Sequence, residues 1–174
     1  LHSPTYVGFT RCITDSGFHI VHSPLKKDEN GVWRMDYEDM DAKLKANKIH
    51  VAVFCSPHNP CGRVWERWEI EKAMEVYKAN DCIVISDEIW SDIIFPEAPF
   101  NSIYLLGNER CRRVMSVFGW SKSFGIAGMR IGCVYTTDPA LFERMVEKSD
   151  VMSTAGGISS LSQIAGTACM HNYD

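Results

Sequence analysis

The chain has 174 residues, enough for one domain with a sizeable core but few for two. Hydrophobic residues make up 45% of it and charged residues 23%, which is ordinary for a globular protein. A net charge of −4 excludes a basic field for nucleic acid or anionic lipid, and no apolar run is long enough to cross a bilayer. We therefore expect neither a nucleic-acid nor a membrane partner.

The seven cysteines are spread along the chain, and none belongs to a C-x-x-C pair. This spacing supports neither zinc nor a thioredoxin-like motif, so we expect no metal site. Cys55, Cys82 and Cys133 lie inside apolar runs, as small buried hydrophobic residues do. The pattern fits a reducing cytoplasm. Because the chain begins at Leu1 and ends directly after a predicted helix, we expect it to be a piece of a longer protein.

In the first third of the chain, the sequence predicts a strand that begins within Phe18–Val21. The Asp28-Glu29-Asn30-Gly31 segment predicts a tight hairpin turn, because Asn-Gly tolerates positive φ angles. Asp36 is then the predicted N-cap of a helix that runs to about Asn47.

The middle third contains two predicted buried strands, Val51–Cys55 and Cys82–Ile85. Between them lie a loop rich in helix breakers, Ser56–Gly62, and an amphipathic helix, Glu66–Ala79.

The last third begins with a predicted strand, Val114–Phe118, and a loop that carries Lys122. Residues 129–135 are apolar and rich in strand formers, Asp138 is the predicted N-cap of a helix to about Lys148, and residues 157–171 predict a further helix. Strands that alternate with helices predict an α/β fold with a mostly parallel sheet and helices on both faces.

Polar side chains follow the ends of three predicted strands. Asn59 and Asp87 come after the two middle strands, and Lys122 comes after the next one. Because parallel strands present their carboxyl ends at one edge of the sheet, we expect these three residues to converge.

The chemistry of these side chains suits pyridoxal 5′-phosphate (PLP). Lysine forms a reversible imine with the PLP aldehyde, and a fixed carboxylate such as that of Asp87 keeps the pyridine nitrogen protonated. The Asn59 amide can donate to the 3′-oxygen of the ring. Arg130 offers a bidentate fork for the phosphate and Ser121 an adjacent hydroxyl, while Tyr6 is the candidate aromatic group for the ring face.

Plainer explanations exist for several of these residues. Asn59 between two prolines can simply shape a turn, and Glu88 is an alternative to Asp87 as the functional acid. Tyr6 can be a core tyrosine, Lys122 a surface lysine, and His58 a turn histidine without a catalytic task.

Four segments resemble motifs of the class I/II aminotransferases, the fold type I PLP enzymes. They are Ser56-Pro57-His58-Asn59-Pro60-Cys61-Gly62, Ser86-Asp87-Glu88-Ile89, Ser121-Lys122-Ser123-Phe124-Gly125 and Arg130-Ile131-Gly132. Their order and separations also match the family: Asp87 follows Asn59 by 28 residues, Lys122 follows Asp87 by 35, and Arg130 follows Lys122 by 8. The resemblance covers nearly the whole chain. It implies that residues 1–174 are part of the PLP-binding large domain of an enzyme about twice this length.

Within that superfamily, Pro57–Trp65 is most similar to the branch that contains cystathionine β-lyases and related C–S lyases. The resemblance implies that Lys122 both anchors the cofactor and moves the proton of the substrate Cα. It also implies the roles given above for Asp87, Asn59, Arg130 with Ser121, and Tyr6. An amino-acid substrate and a homodimer with shared sites are further implications.

The sequence departs from the family pattern at two positions. Trp90 stands where aminotransferases usually have a tyrosine that donates to the 3′-oxygen; an indole N–H can donate but cannot ionise, so we expect Trp90 to line the pocket and to change the pKa of the imine. The alternative is that Trp90 does not line the pocket and packs in the domain core instead. Gly119 replaces a serine that is a possible phosphate donor. The glycine-rich phosphate loop and the arginine for the substrate carboxylate lie outside this sequence, so we expect weak or no turnover from residues 1–174 alone.

Three functions are compatible with these residues. The favoured one is a C–S β-lyase that releases a thiol, pyruvate and ammonia. The second is an aminotransferase that passes an amino group to a 2-oxo acid. The third belongs to another class, a non-catalytic PLP-binding sensor or regulatory domain.

Overall fold

Strands and helices alternate along the chain. The computed structural model describes residues 1–107, 113–153 and 156–172. In these residues the strands are β1 (His2–Ser3), β2 (Ser23–Pro24), β3 (Lys26–Lys27), β4 (Trp33–Arg34), β5 (Val51–Cys55), β6 (Ile83–Asp87), β7 (Val114–Phe118) and β8 (Cys133–Tyr135). The α-helices are α1 (Val7–Asp15), α2 (Tyr37–Ala46), α3 (Arg67–Ala79), α4 (Trp120–Ser123), α5 (Pro139–Ser149) and α6 (Ser160–His171). Short 3₁₀ helices lie at Ile103–Leu106 and Ala127–Met129.

Four of these strands form the central sheet in the order β5-β6-β7-β8. The first three are mutually parallel, and β8 pairs antiparallel with β7 at the edge. Parallel neighbours need long crossover connections, and α3 lies in the one between β5 and β6. The predicted α/β fold with a mostly parallel sheet is confirmed.

One face of the central sheet carries the main hydrophobic core. Phe54, Val84 and Val114 are each at most 1% exposed. They belong to one cluster with apolar residues of α2 and α3, namely Met40, Leu44, Ile70, Ala73, Met74 and Tyr77. Since side chains alternate along a strand, Val53 and Ile85 point to the opposite face, where they are only half-buried.

The helices begin where polar side chains accept backbone N–H groups. The carboxylate of Asp36 accepts from the Asp39 N–H at 3.0 Å, which confirms the predicted start of α2. Glu66 and Glu69 form a capping box at α3, and Asp138 accepts from two backbone N–H groups at the start of α5. In the described part of the chain, no helix combines the length and the apolar character needed to span a membrane.

Two strand predictions need correction. Phe18–Val21 is irregular, and Phe18 is 70% exposed, because this stretch has no partner strand in the described residues. The predicted strand at residues 129–135 is too long: only Cys133–Tyr135, which form β8, are in a strand. Arg130 adopts a left-handed backbone with φ of 50°, which a strand does not accommodate. The hairpin prediction is correct: β3 and β4 pair antiparallel around a turn in which Gly31 has φ of 75°.

A buried carboxylate fastens the β3–β4 hairpin and the loop after β5 to α3. Glu69 is fully buried and accepts from Arg34 Nη1 at 3.0 Å and from Arg63 Nη2. Arg63 Nε also donates to the Trp33 carbonyl at 3.0 Å. Paired charges of this kind are compatible with burial, and here they immobilise the loop that carries Asn59.

Candidate active site

The segments that carry the predicted site residues begin at neighbouring points on one edge of the central sheet. The Ser56 N–H donates to the Asp87 carbonyl at 3.0 Å, and the Glu88 N–H donates to the Val117 carbonyl at 2.9 Å. The loop of Asn59, the acid at the end of β6 and the segment that leads to Lys122 therefore begin side by side. The expected convergence at the carboxyl ends of parallel strands is present.

Lys122 and Trp90 are in direct contact. The Nζ of Lys122 lies 5.0 Å from the centre of the Trp90 ring, within the range of a cation–π interaction. Lys122 lies on the short helix α4, which starts two residues after β7 ends. Trp90 belongs to the segment directly after β6, so two different strand ends supply the pair.

Asp87, the predicted acid of the site, is the last residue of β6. Its Oδ1 accepts from the Ile89 N–H at 3.0 Å. Burial raises the pKa of Asp87, while this hydrogen bond and the charge of Lys122 oppose the increase. The positive charge of Lys122 therefore favours the ionised form of the partly buried Asp87 carboxylate.

Sheet register separates Asp87 from the adjacent acid, Glu88. Asp87 pairs with Cys55 and Val117, so these three side chains share the half-buried face. Glu88 is buried on the other side of the sheet. It accepts hydrogen bonds there from three hydroxyl groups and one backbone N–H, those of Ser86, Ser102, Tyr135 and Ile103. Glu88 is thereby occupied by structural contacts, whereas Asp87 is the acid on which the charge of Lys122 acts.

The loop that carries Asn59 is closed on itself. The His58 N–H donates to the Arg63 carbonyl at 2.7 Å, and the Gly62 N–H donates back to the His58 carbonyl at 2.7 Å. At the base of the loop, Trp65 Nε1 donates to the Cys55 carbonyl at 2.9 Å. Burial raises the pKa of the Cys55 thiol to about 12, so Cys55 packs rather than reacts.

Arg130 and Ser121 lie on two helical turns that pack together. Ser121 belongs to α4, and Arg130 directly follows the 3₁₀ helix Ala127–Met129, which contacts α4. The Arg130 side chain is exposed, and its backbone is in the left-handed region that non-glycine residues rarely adopt. Ser162 Oγ on α6 donates to the Met129 carbonyl at 2.5 Å and fixes this turn from outside.

Tyr6 lies at the start of α1, as its N-cap, and is 47% exposed. Its ring packs edge-on against Phe9, with 5.5 Å between the ring centres. The segment reaches the Asn59 loop through His58, whose Nε2 lies 2.9 Å from the Pro4 carbonyl oxygen. The sequence interpretation of His58 as a turn residue missed this contact, which joins residues 54 positions apart and has no local signal.

The predicted residues thus fall into two groups. Lys122 contacts Trp90, its charge acts on Asp87, and Asn59 lies on the adjoining loop. Tyr6, Ser121 and Arg130 are placed by neighbouring elements, and within the described residues their side chains make no hydrogen bond to the first group.

The whole length of the chain matches one known family. Residues 1–174 match the family model described as Aminotransferase class I and II. The chain belongs to the class I and II aminotransferase family. The resemblance inferred from the motifs is confirmed.

Relatives within the class I and II aminotransferase family include both aminotransferases and lyases. Cystathionine beta-lyase PatB of Bacillus subtilis is 32% identical over 138 residues, which are 78% of this chain and 35% of the relative. Aspartate aminotransferase of Pinus pinaster is 32% identical over 171 residues, which are 97% of this chain and 33% of the relative. The chain therefore spans about a third of the length of these relatives.

Solved structures of family members have the same fold as this chain. Cystalysin of Treponema denticola, which contains PLP, superposes with a TM-score of 0.86 at 26% identity, over 97% of this chain and 42% of its own. The PLP-bound C–S lyase of Staphylococcus hominis gives a TM-score of 0.84 at 26% identity, over 97% of this chain and 41% of its own. The family uses PLP and its members are enzymes, which favours the enzymatic predictions over the sensor prediction.

The side chains present here fit PLP. An exposed lysine lies against an aromatic ring, an acid with a raised pKa ends the neighbouring strand, and an exposed arginine follows the 3₁₀ helix that packs against the helix of the lysine. Lys122 would bind the aldehyde carbon, Asp87 the pyridine nitrogen, and Arg130 with Ser121 the phosphate. Asn59 would donate to the ring oxygen, and Tyr6 and Trp90 would contact the ring.

Proposed function

We propose that this chain is the PLP-binding large-domain portion of an enzyme that acts on amino acids, with C–S β-lysis as its reaction. The observation that carries the proposal is the contact of the Lys122 ammonium with Trp90, together with the partly buried carboxylate of Asp87 at the end of the neighbouring strand. Those three groups lie at the carboxyl ends of the parallel strands, where α/β sheets bind ligands.

Lys122 has two tasks in this proposal. Its Nζ would hold the cofactor, and the same amine would take the proton from the substrate Cα. The proton acceptor must be a neutral amine. The exposure of Lys122 and its position on a short helix allow Nζ to move away from the Trp90 ring for this step.

Asp87 keeps the pyridine nitrogen protonated, and PLP when bound then withdraws electrons from the substrate Cα. A carboxylate in a partly desolvated place interacts more strongly with a cation than one in water. Within the part of the chain that the structure describes, the Ile89 N–H is the one hydrogen-bond donor to the Asp87 carboxylate, and it leaves the second oxygen available.

The lyase reaction is favoured over amino transfer by two observations. The Pro57–Trp65 segment is most similar to the C–S lyase branch, and the matched relatives include PatB, cystalysin and the Staphylococcus hominis lyase. In a β-lyase reaction on cystathionine, the Cβ–S bond breaks and water is consumed, giving homocysteine, pyruvate and ammonia. The aminotransferase alternative is supported by the Pinus pinaster relative.

Two experiments on the full-length protein test the proposal. After incubation with PLP and borohydride, peptide mapping should find the reduced adduct on Lys122. The adduct should be absent in Lys122→Ala and retained in the control Lys148→Ala, which alters an exposed lysine of α5. Pyruvate release from cystathionine is then compared with amine transfer to a 2-oxo acid. Brisk amine transfer without pyruvate would replace the lyase reaction by the alternative.

We infer two properties of the full-length protein from the family and from the cysteine pattern. A homodimer is expected, and sedimentation of the full-length protein tests it. A cytoplasmic location is expected from the scattered cysteines, and cell fractionation tests that.

A further inference from the structure

His58 lies between the two segments that would contact opposite parts of a bound ring. Its side chain is buried, with only 2% of the residue exposed. Nε2 lies 2.9 Å from the carbonyl oxygen of Pro4, two residues before Tyr6. Because a carbonyl oxygen only accepts hydrogen bonds, Nε2 carries the proton and donates it.

On the loop side, His58 cannot move without Asn59. Both its N–H and its carbonyl are bonded across the loop, to Arg63 and Gly62 respectively, each at 2.7 Å. The imidazole ring also packs against Trp65, with ring centres 5.6 Å apart, and Trp65 is fully buried. The imidazole is therefore a rigid extension of the Asn59 loop.

On the other side, the segment that carries Tyr6 has few anchors of its own. Backbone hydrogen bonds from Ser23 and Leu25 hold Leu1 and Ser3 at 2.9 and 2.8 Å. Beyond Pro4, α1 contains no buried residue, and Tyr6 as its N-cap makes no side-chain capping bond. The His58 hydrogen bond is thus a direct tether between the residues just before α1 and the Asn59 loop at the sheet edge.

We propose that His58 is a positioning residue that sets the distance between the Asn59 amide and the Tyr6 ring, so that both contact one bound PLP. This inference rests on the proposed roles of Asn59 and Tyr6. Burial lowers the pKa of His58, which favours the neutral imidazole, and the Pro4 carbonyl selects the tautomer that carries its proton on Nε2. The side chain acts through Tyr6 and does not itself touch the cofactor.

The test uses the PLP-loaded full-length protein and the visible circular dichroism of the bound cofactor, which reports the asymmetry of its contacts. His58→Leu removes the donor, and His58→Gln keeps an N–H at the same number of bonds from Cβ. We expect His58→Leu to reduce the dichroic band and to weaken PLP binding about tenfold, the effect of losing one buried hydrogen bond. His58→Gln should restore most of both.

Tyr104→Phe is the matched structural control. It removes a hydrogen bond from the Tyr104 hydroxyl to the Val114 carbonyl, at 3.0 Å, at the start of β7 and outside β1, α1 and the Asn59 loop. We expect a similar fall in melting temperature without a change in the dichroic band. A band that falls equally in Tyr104→Phe and His58→Leu would reduce His58 to a general stabilising residue and overturn the proposal.

Coupling to Tyr6 is tested in a double-mutant cycle. In a Tyr6→Leu background, the substitution of His58 by Gln or Leu should have no further effect on the dichroic band. An undiminished effect there, or a normal band in His58→Leu, contradicts the inference. If wild-type protein forms no borohydride-stable adduct on Lys122, the proposed function fails first, which distinguishes the two failures.

Discussion

The ammonium of Lys122 lies over the face of the Trp90 indole, 5.0 Å from the ring centre. Trp90 occupies the position at which the family usually has a hydroxyl donor. An aromatic face favours the protonated form of a nearby nitrogen because the ring quadrupole attracts a cation. Replacement of the usual donor therefore changes the electrostatic environment of the reactive lysine.

Removal of the Trp90 ring should lower the pKa of the nitrogen through which Lys122 would hold the cofactor. For Trp90→Leu we expect a decrease of about half a pKa unit, the equivalent of an exposed cation–π contact. The measurement is a visible absorption titration of the loaded full-length protein. Trp68→Leu, which removes a partly exposed indole on α3, should leave the titration unchanged. An unchanged titration in Trp90→Leu would show that the contact does not persist when PLP is bound.

Asp87 and Glu88 are consecutive acids with opposite roles, and paired substitutions separate them. Asp87→Asn cannot stabilise a protonated pyridine, so turnover should fall about 10- to 100-fold, as expected for one charge-assisted hydrogen bond. Glu88→Gln should retain turnover in steady-state assays of the full-length protein. The assignment of the acid is wrong if Glu88→Gln is the inactive variant.

The stability contributed by Glu88 should fall as pH rises. Burial raises the pKa of Glu88 in the folded state, and this effect exceeds that of its hydrogen-bond donors. Between the unfolded pKa, about 4.3, and the higher folded pKa, the folded state holds more protons than the unfolded state. Wild type should therefore lose stability relative to Glu88→Gln as pH rises above about 4.3.

Urea unfolding of both proteins at several pH values gives this difference directly. A wild type that gains stability relative to Glu88→Gln with rising pH would mean that the surrounding hydroxyl groups lower the pKa of Glu88.

Arg130 combines a strained backbone with a predicted phosphate contact. Its φ of 50° is unfavourable for a side chain with a Cβ, and glycine relieves this cost. Arg130→Gly should raise the free energy of unfolding by up to about 1 kcal/mol while weakening PLP binding about 10- to 100-fold. Lys48→Gly is the matched control, because Lys48 is exposed and has the same φ of 50°.

Denaturant unfolding and PLP titration of the two variants distinguish strain from function. Lys48→Gly should gain similar stability and bind PLP normally. Normal binding in Arg130→Gly would remove Arg130 from the proposed phosphate site.

Much of the fold was predictable because its signals are local. The strand at Val51–Cys55 and the helix caps at Asp36 and Asp138 follow from short apolar runs and from side chains that bond the next turn. Phe18–Val21 has a similar apolar composition but forms no strand, because a strand also needs a neighbour with which to pair. Apolar composition indicates that a segment can form a strand, but it does not indicate whether a partner strand lies beside it.

The sequence by itself determined the identity and order of the candidate site residues: Asn59, Asp87, Lys122 and Arg130 follow strands in a spacing typical of the family. Tertiary structure alone decided which sheet face and which partner each side chain has. Sheet register placed Asp87 and Glu88 on opposite faces of the sheet, and a hydrogen bond across 54 residues gave His58 its position. The type of a side chain is a property of one sequence position. The sheet face on which it lies and the residues that it contacts depend on which distant segment of backbone lies beside that position.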